Sequence, residues 1–184
     1  VTVATYAKEG EVTVRITTKS NDEEKALHDL NSVEGEIVKI LGDSVYSTED
    51  KELYEVAAQL LLDKKMSVAF AESCTGGLVS SVITDIPGIS TVFDRAVVTY
   101  SNKSKVENLG VKQETLDKYG AVSRDTAIEM AEGIRRVAGT DLGLSVTGIA
   151  GPDGGTEEKP VGLVYIALAH KAGTHCKELK LAGS

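Results

Sequence analysis

A short apolar run that leads through a glycine turn into a helical pattern constrains this fold most, and it occupies residues 67–78. Val68 to Ala71 are uninterrupted apolar residues, which is typical of a buried strand. After the paired glycines, apolar residues recur at helical spacing, at Leu78, Val79, Val82 and Ile83. The stretch therefore predicts a buried strand, a tight turn and a helix in direct succession.

The turn carries hydroxyl groups where such a unit can bind an anion. Ser73 and Thr75 would lie beside the unpaired N–H groups and the positive dipole end of the following helix, which can stabilise an oxyanion. Gly76 and Gly77 would let a ligand approach the main chain closely. The structural alternative is a turn in which Ser73 or Thr75 merely caps the helix. This stretch alone leaves both interpretations open.

Strand and helix patterns alternate through the rest of the chain. Arg95–Tyr100 and Leu142–Val146 are predicted as further buried strands, and Ser101 and Ser123 as the residues that begin two helices. The chain then closes with a hairpin, predicted at Val161–Ala169 and Cys176–Leu181. This order predicts an α/β fold, a three-layer α/β/α sandwich with a mixed sheet.

Residues 1–46 are predicted as a separate, small α+β domain before a domain of residues 47–184. Alternating apolar residues around Gly10 predict a β-hairpin with one buried face. A helix follows, with Ser20 and Glu23 at capping-box spacing and Gly42 at its end. Two strands and one helix can barely bury a core, so we expect part of a larger domain. Ser47 with Asp50 is predicted to begin the helix that opens residues 47–184.

Composition argues against several classes of protein. A net charge of −8 is unsuited to nucleic-acid phosphates, and 4% aromatic residues give little stacking surface for single strands. The sequence contains no stretch of eighteen apolar residues, so no membrane span is predicted. The two cysteines, Cys74 and Cys176, lack paired spacing and favour a reducing, cytoplasmic location. No group of His, Cys, Asp and Glu has metal-ligand spacing, so no metal site is predicted.

A glycine-rich loop follows the third predicted strand, at residues 147–156. It is not a dinucleotide fingerprint, because no helical pattern follows it, and it lacks the Gly-Lys-Ser/Thr of a P-loop. Loops of this length in compact domains usually bind something, so ligand binding is favoured over a plain surface loop.

A serine–lysine pair is the chemistry that the residues allow best. Lys103 and Lys105 follow Tyr100 at the end of the second predicted strand. A lysine base needs its pKa lowered from ~10.4 towards ~7–8 by burial or nearby cations. Cys74 has no obvious histidine partner, and Glu72 could either orient a partner or cap the helix.

Several runs of this sequence resemble the C-terminal domain of the CinA (competence/damage-inducible) family: AESCTGG at 71–77, TYSN at 99–102 with Lys105, GAVS at 120–123, and SVTGIAGPDGG at 145–155. The resemblance covers residues 50–184, while residues 1–46 resemble part of the family's KH-like middle domain. It implies hydrolysis of the carboxamide of nicotinamide mononucleotide to nicotinate mononucleotide and ammonia, without a cofactor.

The resemblance also implies the site residues. Ser73 would be the nucleophile and Lys105 its neutral base, with Tyr100 relaying or orienting the proton. Main-chain N–H groups around Thr75 to Gly77 would face the oxyanion. The residues expected to contact substrate are Thr75, Gly76, Gly77, Asn102, Thr147, Gly148 and Gly151.

Two departures qualify these expectations. The chain ends at Ser184, where the family continues with an arginine and a C-terminal helix, so we expect a truncated domain that associates into a homodimer and binds substrate weakly. The KH-like part has no Gly-x-x-Gly loop, which opposes RNA binding. The alternative function is a non-catalytic nucleotide-binding or dimerisation module of a larger CinA protein.

Overall fold

The computed structural model describes residues 1–8 and 10–181, which form two compact units, Val1–Lys51 and Glu52–Ser184. Within those residues, no helix combines the length and apolar character that crossing a bilayer requires.

The first unit is a hairpin packed on one helix. Strands β1 (Thr2–Lys8) and β2 (Glu11–Thr17) pair antiparallel, and helix α1 spans Glu23–Leu41. None of the described residues of this unit is buried. The face predicted to be buried is therefore only partly covered, because one helix cannot shield both strands. The predicted capping box is also wrong: the side chain of Asp22 caps α1, 3.2 Å from the amide nitrogen of Lys25.

The second unit is built on a five-stranded sheet in the order β4-β3-β5-β6-β7. Its strands are β3 (Val68–Glu72), β4 (Phe93–Val98), β5 (Leu142–Gly148), β6 (Leu163–His170) and β7 (Gly173–Lys180). β4, β3 and β5 are parallel, whereas β6 and β7 are antiparallel. The predicted mixed sheet is thus confirmed.

Helices cover both faces of this sheet, which confirms the three-layer sandwich. They are α2 (Leu53–Lys64), α3 (Leu78–Thr84), α4 (Asn102–Leu109), α5 (Gln113–Tyr119) and α6 (Arg124–Ala138). Successive β3 side chains point to opposite faces. Val68 and Phe70 belong to one buried cluster with residues of α2 and α3, while Ala69 and Ala71 belong to another with residues of α4, α5 and α6.

In the second unit, two predicted helix starts are confirmed and one is wrong. The hydroxyl of Ser101 accepts a hydrogen bond from the Ser104 N–H at 3.1 Å, and that of Ser123 from the Thr126 N–H at 3.2 Å. Helix α2 begins later than predicted, because Glu52 and Glu55 form its capping box.

The second predicted strand stops short of Tyr100: β4 ends at Val98, and the chain turns from there towards α4. Glu72 at the end of β3 pairs in register with Val98 at the end of β4. The residues that follow these two strands therefore emerge side by side.

Candidate active site

Ser73 and Lys105 meet at the carboxyl ends of β3 and β4. The Nζ atom of Lys105 lies 3.0 Å from the Oγ atom of Ser73, and both side chains are buried. Ser73 directly follows β3, and Lys105 lies near the start of α4, which Ser101 caps. The structure thus brings together the two residues expected to be nucleophile and base.

The same amine is held by two main-chain carbonyl oxygens, at 2.7 Å from that of Thr99 and 3.3 Å from that of Tyr100. Carbonyl oxygens only accept hydrogen bonds. The ammonium form donates to both carbonyls and to Ser73 Oγ. A neutral amine has two N–H groups and one lone pair, so donation to both carbonyls would leave the lone pair for the serine hydroxyl.

Burial lowers the pKa of Lys105, because its side chain is 0% exposed and its ammonium form would lose hydration. The small opposing effect on this pKa comes from Cys74. No carboxylate forms an ion pair with Lys105 in the part of the chain that the structure describes. Lys103 differs: its side chain is 80% exposed and lies 3.7 Å from the carboxylate of Glu107.

Glu72 caps helix α3 from inside the sheet, which decides between its two interpretations. Its carboxylate accepts hydrogen bonds from the N–H groups of Gly77, Val79 and Ser80, at 3.0, 3.1 and 2.8 Å, and from the Ser80 hydroxyl. Burial alone would raise the pKa of Glu72, but these hydrogen bonds together with the neighbouring Thr75 hydroxyl lower it. Glu72 is therefore a buried, ionised carboxylate.

The N–H groups of the turn after Ser73 differ in whether they already have an oxygen acceptor. That of Gly77 is taken by Glu72, and that of Gly76 donates to the Ser73 carbonyl at 3.1 Å. Within the described residues, the N–H groups of Cys74 and Thr75 donate to no oxygen and are close only to the Cys74 thiol, a weak acceptor. Of the N–H groups expected to face an oxyanion, those of Gly76 and Gly77 thus already have an oxygen acceptor, whereas that of Thr75 has none in the described chain. Contact of these groups with an oxyanion stays a prediction.

Cys74 itself is a poor nucleophile. Burial raises the pKa of its thiol, and this outweighs the opposite effects of nearby main-chain N–H groups and of Lys105.

The Thr75 and Thr99 hydroxyls are buried beside the site and make no hydrogen bond of normal geometry within the described chain. The Thr75 hydroxyl lies near the Glu72 carboxylate, whereas the Thr99 hydroxyl is not among the groups of the described chain that shift the Glu72 pKa.

Tyr100 and Asn102 are placed at the surface of the site. The Tyr100 residue is 74% exposed, and its main-chain carbonyl, not its hydroxyl, contacts Lys105. In the described part of the chain, no hydrogen bond joins that hydroxyl to Ser73 or Lys105. Asn102 is the exposed first residue of α4.

Thr147, Gly148 and Gly151, which are expected to contact substrate, also have close contacts within the protein. The fully buried Thr147 donates its hydroxyl to the Ala121 carbonyl at 2.9 Å. A Cβ on Gly148 would lie 2.7 Å from Val164 Cγ2, and Gly151 has φ +85° with an equally close Val161. These contacts help to shape the loop, and contact of the three residues with substrate stays a prediction.

Sequence inspection missed two contributors. The Thr99 carbonyl acts through the main chain, which leaves no sequence signal. Lys159 ties the glycine loop down, because its Nζ lies 2.5 Å from the Tyr119 carbonyl oxygen and 2.8 Å from that of Val122. Among the residues described, no group of three or more His, Cys, Asp or Glu side chains could hold a metal ion.

The arrangement supplies a hydroxyl, an amine with a lowered pKa, and two N–H groups, those of Cys74 and Thr75, that donate to no oxygen within the described chain. Such a set can perform acyl transfer on an amide or ester.

Comparisons with known proteins identify the same family in both parts of the chain. Residues 50–184 match the family model for the CinA C-terminal domain, and residues 1–47 match that for the damage-inducible protein CinA KH domain. A competence-damage inducible protein of Acetivibrio thermocellus is 62% identical over 184 residues, and one of Clostridium botulinum is 53% identical over 183. Each match covers 100% of this chain and 45% of the relative. The chain thus spans about half the length of these curated relatives.

Solved structures give the same result for the fold. A competence/damage inducible protein from Agrobacterium tumefaciens matches with a TM-score of 0.68 at 41% identity, covering 74% of this chain and 86% of the other. A CinA superfamily protein from Escherichia coli matches with a TM-score of 0.69 at 29% identity, covering 78% and 87%.

Proposed function

Because the chain belongs to the CinA family, with the C-terminal domain model matching residues 50–184, we propose that it hydrolyses the carboxamide of nicotinamide mononucleotide to nicotinate mononucleotide and ammonia. The observation that carries this proposal is the 3.0 Å distance between Lys105 Nζ and Ser73 Oγ. The substrate itself is proposed from the family resemblance, whereas the geometry supports the reaction type.

The first half of the reaction forms an acyl-enzyme. Neutral Lys105 takes the hydroxyl proton of Ser73 while Oγ attacks the amide carbon. The carbonyl oxygen of the substrate becomes an oxyanion, which accepts hydrogen bonds from the N–H groups of Cys74 and Thr75. The tetrahedral intermediate then breaks its C–N bond, and the Lys105 ammonium gives its proton to the departing nitrogen. Ammonia leaves, and the acyl group of nicotinate mononucleotide is esterified to Ser73.

The second half returns the enzyme to its starting state. A water molecule gives a proton to neutral Lys105 and attacks the ester carbon, which passes through a second oxyanion at the same N–H groups. Collapse breaks the bond to Oγ, which recovers its proton from Lys105, and nicotinate mononucleotide is released. General-base catalysis contributes typically 10²–10⁴-fold and a single oxyanion donor about 10²–10³-fold.

The contacts around Lys105 support its role on both sides of the cycle. The carbonyls of Thr99 and Tyr100 hold the amine in place and also stabilise its ammonium form when it carries the proton. Burial without a carboxylate partner favours return to the neutral form. Tyr100 is proposed to act through its carbonyl, with its exposed ring and Asn102 left to contact the substrate.

We also propose that the protein is a homodimer and that it acts in the cytoplasm. Sedimentation of the purified chain tests the dimer.

The deciding experiment measures ammonia release from nicotinamide mononucleotide by the purified chain and by its Ser73→Ala variant. We expect release by the chain and a loss of it in the variant. Equal release by both would refute the serine mechanism, and no release by either, with nicotinamide mononucleotide still bound, would favour the non-catalytic binding module.

A further inference from the structure

We infer that Glu72 is a positioning residue of the reaction: its buried carboxylate takes up N–H groups of α3 and leaves those of Cys74 and Thr75 as the donors for the oxyanion. The inference rests on the proposed function, since it assigns a role within that reaction.

The carboxylate of Glu72 is fully occupied. Oε1 accepts from the N–H and the hydroxyl of Ser80, and Oε2 accepts from the N–H groups of Gly77 and Val79. An ionised carboxylate offers about four lone-pair sites, so none remains for a proton or a substrate. Its side chain is 1% exposed, which also keeps water away. Glu72 is therefore suited to hold the turn and not to act as a general base.

The position of Glu72 at the end of β3 explains on which side of the sheet its carboxylate lies. Glu72 ends β3 and Ser73 follows it, so the two side chains leave the strand towards opposite faces. The carboxylate thus lies on the α3 side, while the hydroxyl of Ser73 meets Lys105 on the other. No hydrogen bond or ion pair in the described chain joins Glu72 to Lys105.

The Glu72 carboxylate determines which main-chain N–H groups near α3 can still attract an anion. The first N–H groups of a helix attract any anion, and an ionised carboxylate placed there cancels much of that attraction. At the residue where a capping side chain would normally stand, α3 has Gly77, which carries none. Glu72 fills this role and fixes Gly77 at φ +106°, which holds the turn from Ser73 onward in one conformation. The N–H groups of Cys74 and Thr75, whose acceptor is the weakly accepting Cys74 thiol, are then the donors left beside the nucleophile.

Glu72→Gln tests the inference, because it preserves the shape but replaces one acceptor oxygen by an NH₂ group that faces N–H donors. We expect kcat for ammonia release to fall by about 10²–10³-fold, as for loss of an oxyanion donor, with KM changed by less than about fivefold. The acidic limb of the pH–rate profile, which reports Lys105, should not move. Ser80→Ala is the matched control, since it removes one donor to the same carboxylate but no N–H group, and it should keep kcat within about threefold.

Amide hydrogen exchange gives a readout that does not need activity. In Glu72→Gln, the amides of Gly77, Val79 and Ser80 should exchange faster than in the unsubstituted chain. A kcat within threefold of that of the unsubstituted chain, or a drop in kcat equal to that of Ser80→Ala, would overturn the inference. Unchanged exchange at the three amides would overturn it as well. Inactivity of the unsubstituted chain would count against the proposed function. The exchange result would still show whether the Glu72 carboxylate protects the three amides.

Discussion

The amine of Lys105 turns back to the carbonyl oxygen of Thr99, 2.7 Å away, although Thr99 precedes the helix that carries the lysine. This contact fixes the amine before any substrate arrives. In the proposed reaction, a base that is already oriented loses little conformational entropy, which would favour proton transfer from Ser73.

Replacement of Ser73 should be far more damaging than replacement of its neighbour. We expect Ser73→Ala to lower kcat for amide hydrolysis by at least ~10³-fold, as the loss of a covalent nucleophile usually does. Cys74→Ala should keep most of the activity, because burial raises the pKa of the Cys74 thiol and leaves little thiolate. Steady-state ammonia release measures both, and the reverse ranking would make Cys74 the nucleophile.

Lys105→Met should abolish activity, whereas Lys103→Met should change it by less than about threefold. The two lysines lie on the same helix, but only Lys105 contacts Ser73, and Lys103 points to solvent beside Glu107. Both variants replace a lysine by methionine, and they differ only in the position of that lysine on α4. Similar losses in both would show that charge near α4, and not a base at Ser73, supports the reaction.

The lowered pKa of Lys105 should be visible in the dependence of rate on pH. Only the neutral amine can act as the base, so kcat/KM should rise with pH as Lys105 loses its proton, at a pH below the ordinary ~10.4 of lysine. A profile without any ionisation between about pH 6 and 9 would contradict a lysine base with a lowered pKa.

The same pKa should affect stability, with a sign that follows from proton binding. Between the lowered pKa of folded Lys105 and ~10.4, the unfolded chain binds more protons than the folded one, so this group makes stability rise with pH. Lys105→Met removes that contribution. The Tm of the variant minus that of the unsubstituted chain should therefore become smaller as pH is raised from 6 to 10, and a difference that is constant with pH would place a neutral lysine in doubt.

Tyr100→Phe separates the two groups that Tyr100 offers, since it keeps the carbonyl and removes the hydroxyl. We expect kcat to fall by less than about tenfold, because the carbonyl contacts Lys105 and the ring is exposed. A loss as large as that of Lys105→Met would instead support the expected proton relay through the hydroxyl.

The sequence predicted those features that local patterns determine. The buried strand before Ser73 and the caps Ser101 and Ser123 depend on residues within one or two turns, and each is confirmed. The hairpin face near Val3 and Val12 was predicted to be buried, but its exposure depends on what covers it, which alternation cannot show.

The details of the site were beyond local patterns for the same reason. Which N–H groups remain free after Ser73 depends on where the Glu72 carboxylate points, and this is a property of the folded turn. Likewise, Thr147 resembles a loop residue in sequence, but its partner Ala121 lies 26 positions away. The family resemblance named Ser73 and Lys105, and the structure then supplied their distance and surroundings.

The parallel pairing of β3 with β4 has a consequence for how the site forms. Ser73 and Lys105 are 32 residues apart and become neighbours through this pairing, which needs a complete crossover connection. Non-local parallel contacts form slowly during folding, after the local helices. We therefore expect a refolding chain to recover its helical circular dichroism before its ammonia release, so that catalysis reports the moment at which these two strands come together.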